Sequence, residues 1–310
     1  MLKIKKWVDT YGVQATIKRG FYSLSPWLPV DYNHSFRKQI WYSHYKKCIK
    51  KYLVIHKDCK DRDSVNMNVN LKIIWWCWLQ GVENAPKMVQ RCYKSVTCYA
   101  AEMGYQVVCL SSKNLHDYIH LPDKIMKKWK AGYISSAMFS DLCRLCLLAS
   151  YGGVWIDSTV LLTGKIEEEI LDADLFFYKA AYMSVSVTKM SNWFIVAKKP
   201  GNAFILSLKD SLINYWENNN KPGDYFLMHI MITALSESEA LCKMYHEIPF
   251  YCNSYPKLME RVLLKEYDNK IFMHILKNST IHKLTYKNME NLPKNSVGRY
   301  IIDHDYIRLT

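Results

Sequence analysis

The chain has 310 residues, 50% hydrophobic and 14% aromatic, enough for one large domain with a substantial core. Its 42 Lys and Arg against 28 Asp and Glu give a formal charge of +14, which points to an anionic partner: nucleotide, phospholipid or nucleic acid. No apolar run approaches the roughly 18–20 residues of a bilayer span, and MLKIKKWVDTYG lacks the apolar core of a secretory signal, so neither a transmembrane protein nor an exported disulfide scaffold is expected.

In chain order, residues 1–52 carry eleven basic side chains against Asp9 and Asp31, a net of +9, interleaved with Trp7, Phe21, Trp27, Trp41, Tyr42 and Tyr45. The pattern reads as short helices broken at Pro26 and Pro29, a surface suited to anionic lipid. HKDCKDRDSVNMN (56–68) reads as a linker, which divides the chain into a basic, aromatic helical extension (1–68) and a main domain (69–310). LKIIWWCW (71–78) is a continuous apolar run, as in a strand buried on both faces. Pro86 suits the first turn of a helix that runs to about Met103 and ends at Gly104; YQVVCL (105–110) is a second buried strand. Strand, helix, strand is a βαβ unit, so an α/β domain with a mainly parallel sheet is expected, with further strands at 154–156, 175–180 and 194–197. Ligands of such sheets gather at the carboxyl ends of the strands. Trp75, Trp76 and Trp78 crowd one such end, where one of them can stack on a base, although for each alone core packing is the favoured reading. The ten cysteines lie mostly in apolar periodic segments, as Cys77, Cys109, Cys143 and Cys146 do, and read as reduced, buried thiols of a cytoplasmic protein. Cys143-x-x-Cys146 sits within one helix without a second such pair, which favours packing over metal or redox chemistry.

The densest signal is SDLCRLCLLASYGGVWIDSTV (140–160). Ser140 to Tyr151 reads as a helix, Gly152 or Gly153 reverses the chain, and a short apolar strand delivers Asp157. The helix carries the chain about 15 Å from Asp141 at ~1.5 Å per residue. Four strand residues bring it back about 13 Å at ~3.3 Å per residue. Asp141, Arg144 and Asp157 are therefore expected at one edge of the sheet. The alternative is a surface ion pair between Asp141 and Arg144, with Asp157 capping a turn.

This block resembles the SDxxRxxxLxxxGGxYxDxD block of DXD-motif sugar transferases, a group that includes mannosyltransferases and the glucosylating clostridial toxins. It is most similar to their bacterial capsular polysaccharide synthesis branch, where the motif tends to read W-I-D-x-T. KIIWWCWLQGVENAPKMVQRC (72–92), GDYFLMHIMI (223–232) and STIHKLTYK (279–287) agree with that branch, so the resemblance spans 72–287. It implies a GT-A-type nucleotide-sugar-binding fold. The implied reaction is hexose transfer, with retention, from a nucleoside diphosphate sugar, a UDP-sugar first, to a glycan or lipid-linked oligosaccharide acceptor. By resemblance Asp141 and Arg144 contact the donor sugar, and Asp157 contacts ribose and sugar beside a Mn²⁺ or Mg²⁺ ion. Thr159 stands where the second aspartate, the direct metal ligand, is usual, and a hydroxyl is the poorer ligand for such an ion. Trp75, Trp78, Thr159, His282 and Lys283 complete the expected donor site. His282 and Lys283 are candidates to meet the charge that builds on the leaving diphosphate, with His282 also a candidate metal ligand. A polar loop position is the plainer reading of His282. Asp224 and His229 are candidates for the acceptor side, with a helix N-cap the alternative for Asp224.

Two other classes compete with the enzyme. One is a basic binding protein for anionic membrane, with nucleic acid disfavoured by the absence of any RNA-binding or zinc signature. The other is a degenerate transferase that binds sugar nucleotide without turnover. Attachment at the inner face of the cell membrane fits the enzyme reading as well.

Overall fold

The computed structural model describes residues 30–57, 72–180 and 188–304, with Val8, Val13, Thr16 and Ile17; for 30–39 it describes the backbone alone. Nearly all of the expected linker, and most of the chain before Val30, lie outside these residues.

The long apolar runs become the strands of a five-stranded sheet, in the order β2 (Gln106–Leu110), β1 (Ile73–Cys77), β3 (Gly153–Ile156), β6 (Met190–Ala197) and β5 (Leu175–Lys179). β1 pairs in parallel with both β2 and β3, while β6 is antiparallel to β3 and to β5, so four of the five strands point the same way. Every residue of β1 and β5 is buried, which is why these segments read as unbroken apolar runs rather than alternating ones. A second, two-stranded antiparallel sheet joins β4 (Val160–Leu162) to β7 (Ile281–Lys283), pairing Val160 with Lys283 and Leu161 with His282. This mixed α/β arrangement is consistent with a GT-A-type fold.

The longer helices are α1 (Val30–Ile49), α2 (Lys87–Met103), α3 (Ser136–Tyr151), α4 (Ala203–Asn218) and α5 (Leu227–Ser236). α2 follows Pro86 and ends at Gly104, as expected from the sequence. α3 packs on β1, β3 and β6 and on α4, α4 packs on α5, and α5 packs on α1. Residues 30–49, which follow the expected breaks at Pro26 and Pro29, form one helix with no Pro or Gly to interrupt it; the two prolines themselves lie outside the described residues.

Trp41, Tyr42, Tyr45 and Ile49 recur at helical spacing and are all buried in the main core, so these side chains face inward. The Trp41 indole donates to Asp224 Oδ2 at 2.7 Å, and the Tyr45 hydroxyl meets that of Tyr215 at 3.1 Å and donates to the Pro222 carbonyl. Beyond α1, the Val54 and His56 amides donate to Ser211 and Ser207 of α4. A smaller core of Met88, Cys92, Leu161, Met259, Leu263 and Phe272, among others, supports β4 and β7 from the C-terminal side. The nine cysteines among the described residues are unpaired, and Cys143 and Cys146 are buried in α3. No helix among the described residues is long and apolar enough to cross a membrane.

Candidate active site

The site is assembled by the turn between α3 and β3. α3 starts at Ser135, whose hydroxyl accepts the Met138 amide at 3.4 Å, and ends at Gly152. Gly152 and Gly153 both adopt positive φ, 68° and 93°. A Cβ on Gly153 would lie 2.8 Å from the Ile73 carbonyl oxygen of β1, so only glycine turns the chain so close to the neighbouring strand. Asp157 follows β3 directly, its amide bonded to the Trp193 carbonyl of β6 and its carbonyl accepting Val160 as the chain turns into β4. The turn expected as the alternative role of Asp157 is therefore made by its backbone, which leaves the carboxylate for other partners.

That carboxylate is the hub. Oδ1 accepts from Arg144 Nη2 at 3.2 Å and from the Trp155 indole at 3.3 Å, and Oδ2 accepts from Lys283 Nζ at 2.8 Å. Lys283 Nζ also donates to the Thr159 hydroxyl. Arg144 Nη2 lies 3.2 Å from Asp141 Oδ1, and the guanidinium also donates to the Ser140 carbonyl at 3.3 Å and to the Asn192 carbonyl. Its plane sits over the Trp155 ring, 4.8 Å from the centroid. Asn192, at the start of β6, closes the ring by donating from Nδ2 to Asp141 Oδ1 at 3.0 Å. Asp141, Arg144, Asp157, Thr159 and Lys283 thus converge at one sheet edge. This is a buried network rather than a surface ion pair, with the Arg144 side chain 5% exposed.

The electrostatics divide the two carboxylates. Burial would raise the Asp157 carboxyl, but Lys283 and Arg144, with hydrogen bonds from Lys283 and Trp155, outweigh it and hold it below the usual carboxylate range. Asp141 has one cation and a neighbouring anion, so burial, countered by Arg144 and aided by Asp157, pushes it up to about 6. His229 lies on α5, within reach of the charges of Arg144 and Asp157; burial first, then Arg144 and Lys257, bring its imidazole down to about 3. The phenol of Tyr225, in the loop before α5, is pushed up by burial and by the carboxylates of Asp141 and Asp157. Trp78, half-buried after β1, meets the exposed Tyr286 ring edge-on at 5.4 Å, extending an aromatic wall from the strand end.

Three expected residues are not brought here. His282 is fully buried, its Nε2 2.9 Å from the Thr163 hydroxyl, because alternate residues of β7 face opposite ways and Lys283 takes the outward one. Neither donor contact nor metal ligation by His282 agrees with that position. Trp75 is 1% exposed, donates to the Gly152 carbonyl and packs between Tyr118 and Tyr151, so it is a core residue; Trp76 is likewise fully buried. Asp224 is fully buried, with Oδ2 on the Trp41 indole and Oδ1 on the Phe226 amide. It ties α1 to the loop before α5 and does not face an acceptor. Conversely, Asn192 and Lys257 belong to the site or its rim and lie outside every quoted motif, while Trp155, Tyr225 and Tyr286 lie within the motifs without being singled out as candidates.

The cluster does not suit a divalent cation. Both Asp157 oxygens are engaged by cationic side chains, Thr159 is a weak ligand, and an added ion would face Arg144 and Lys283. Among the described residues, no group of three or more His, Cys, Asp or Glu is placed to hold a metal.

Burial of His282 has a measurable consequence. Its imidazole is lowered from 6.5 to about 3 by burial, so its contribution to stability is complete above about 6.5 and is lost as pH falls toward 3. His229 acts in the same direction, whereas Asp141, raised, loses stability on ionising as pH climbs from 3.8 to about 6. Urea unfolding at pH 7 and pH 5 is expected to show His282 alone costing about 2 kcal/mol at the lower pH, a difference that His282→Gln removes. An unchanged pH slope in that variant would place the imidazole in contact with water.

A family model described as capsular polysaccharide synthesis protein matches residues 28–301. The chain is also similar to an O-glycosyltransferase, braB, of Annulohypoxylon truncatum, 29% identical over 163 residues, which cover 47% of this chain and 38% of that relative. The chain therefore spans well under half the length of the curated relative it matches.

Proposed function

The chain belongs to the capsular polysaccharide synthesis family, and from that premise we propose that it is a glycosyltransferase. It moves a hexose from a nucleoside diphosphate sugar, a UDP-sugar first, to a growing capsular or surface polysaccharide repeat unit. The observation that carries this is the convergence of Asp141, Arg144, Asp157 and Lys283, from α3, the end of β3 and β7, on one sheet edge beside the half-buried Trp78. The Asp141–Arg144 pair offers an acceptor and a guanidinium to sugar hydroxyls, while Trp78 offers a ring face or edge to the base. Cleaving the bond between the anomeric carbon and the diphosphate builds negative charge on the leaving oxygens, and Lys283 is already oriented to meet it by Asp157 and Thr159. His229, neutral at working pH, adds no charge at the rim where an acceptor hydroxyl would approach. Support for retention is the resemblance of the 140–160 block to retaining sugar transferases.

A thermal-shift screen against UDP-, GDP- and CMP-sugars tests this directly, since a ligand bound by the native state alone raises the midpoint with its occupancy. A shift with at least one nucleoside diphosphate sugar, and its slow hydrolysis without acceptor, is the expected result. No shift with any of them would sink the reading, and a shift without hydrolysis would leave a binder in place of an enzyme.

Peripheral attachment to an anionic leaflet, at the inner face of the cell membrane, belongs to the same proposal. With the α1 rings turned inward, its support is the exposed face carrying Lys47, Lys50 and Lys51, added to the basic composition of residues 1–29. Each lysine near the surface contributes about 1 kcal/mol, weakened by salt. Flotation with phosphatidylserine vesicles should therefore decline for a variant with Glu at all three positions. Removal of the whole extension is a poor test, because it would strip Trp41, Tyr45 and Ile49 from the core. Equal, salt-insensitive flotation of variant and wild type would end this part of the proposal.

A further inference from the structure

We propose that Lys257 and Lys283 together form the diphosphate cradle of this site, standing where a sugar transferase with two motif carboxylates holds its divalent cation, so that donor binding needs no metal. This rests on the reading of the site as one for a nucleoside diphosphate sugar and specifies how the phosphates are held.

The motif normally offers two carboxylates to an ion; here it offers Asp157 and Thr159, and the group on both is the Lys283 ammonium. One positive charge thus occupies the place between the two motif side chains. Lys283 is not solitary. Its backbone amide donates to the Pro256 carbonyl at 2.8 Å, which fixes residue 257 next to the end of β7.

Lys257 is half-buried, and its ammonium makes no hydrogen bond or ion pair with any described residue. Burial, then the charges of Lys283 and Arg261 working against Glu260, hold it below the usual lysine range, and its charge in turn acts on His229. Two ammonium groups near each other and partly withdrawn from water are an unfavourable pair unless an anion lies across them. Around the site the cations Arg144, Lys257, Arg261 and Lys283 outnumber the carboxylates Asp141, Asp157 and Glu260 by one, an imbalance that a diphosphate corrects and a divalent cation deepens. Lys283 already spends donors on Asp157 and Thr159, which fix its direction and leave a third N–H for a phosphate oxygen. Lys257, with no such tether, has all three of its N–H groups to give. The arrangement parallels the cation it replaces: a positive charge fixed by Asp157, with a second free to close on the leaving group.

Calorimetric titration of the full chain, freed of metal with EDTA, with UDP, GDP and CDP and the matching nucleosides tests this. Diphosphate binding should persist in EDTA and change less than about twofold when Mn²⁺ or Mg²⁺ is restored. Lys257→Gln and Lys283→Gln should each weaken diphosphate binding about tenfold or more, the scale of a charge-assisted bond, and leave nucleoside binding unaltered. The Lys257 ammonium makes no hydrogen bond or ion pair with a described residue, so its variant tests the cradle even where Lys283→Gln disturbs Asp157; Lys283→Arg should recover part of the loss. Binding that appears only with metal, or wild-type diphosphate affinity in the two Gln variants, would overturn the cradle while leaving the sugar-nucleotide site standing. Absence of binding by every nucleoside diphosphate, with metal and without, would overturn the reading of the site itself and the cradle with it.

Discussion

Asp157→Asn should lower donor turnover by about 10²–10³ while sparing the fold, the scale for removing one electrostatic stabiliser of a transition state. The amide is nearly isosteric with the carboxylate, and the position is partly exposed, with a side-chain exposure of 23%. What changes is the charge that directs Lys283 at 2.8 Å and steadies Arg144 at 3.2 Å. An amide can accept from one of these cations but presents its own N–H₂ to the other, so Lys283 loses its fixed aim at the leaving group. The variant should melt close to wild type, and its deficit should appear in kcat more than in KM, because the lost interaction strengthens as the diphosphate departs. Folded Asp157→Asn protein that hydrolyses or transfers donor at the wild-type rate would mean that the chemistry lies elsewhere.

Arg144→Ala should be the most destabilising change in the site, by about 3–5 kcal/mol in urea unfolding at pH 7.5, since it strands partly buried carboxylates without their cation. Arg144 serves Asp141, Asp157 and the carbonyls of Ser140 and Asn192 at once and stacks on Trp155. Alanine would leave Asp141 facing Asp157 with only Asn192 to support it. The carboxyl of Asp141, already at about 6, should then rise further, so the loss should shrink at lower pH as that group takes up a proton. Arg144→Lys restores charge but not the planar fork that reaches both carboxylates and the Asn192 carbonyl, and should recover stability better than discrimination between donor sugars. A loss below about 1 kcal/mol for Arg144→Ala would reduce the pair to an exposed one.

The parts of this site that are legible in the sequence are those whose geometry is local. The path out along α3 and back along β3 is set by helical rise, a Gly-Gly reversal and strand rise, so Asp141, Arg144 and Asp157 are placed together by distances along a single stretch. The core strands are equally plain, since burial on both faces leaves LKIIWWCW and LFFYK without polar interruption.

What escapes the sequence is set by pairing across the fold. His282 and Lys283 are both expected at the site, but only the pairing of β7 with β4 brings Lys283 to Asp157 from 126 residues away, and in a strand a one-residue step decides which side chain faces the site. That step sends Lys283 outward and His282 into the core. Trp75 and Trp78, three residues apart at the same strand end, separate in the same way, one against Gly152 and the other toward Tyr286. In the basic extension, charge and aromaticity are visible but their facing is not. The helical spacing of Trp41, Tyr45 and Ile49 turns those side chains into the core and leaves lysines outward. Asn192 and Lys257 carry no motif, since a lone amide and a lone lysine acquire meaning only from the carboxylates and the β7 end beside them.

The assignment of the cluster as the donor site is tested most directly by a crystal structure of the protein with a bound nucleoside diphosphate sugar. The expected density places the sugar against Asp141 and Arg144, the diphosphate at Lys283 beside Asp157, and the base toward Trp78 and Tyr286. A donor seated in another cavity, with the Asp141–Arg144–Asp157–Lys283 network untouched, would contradict it.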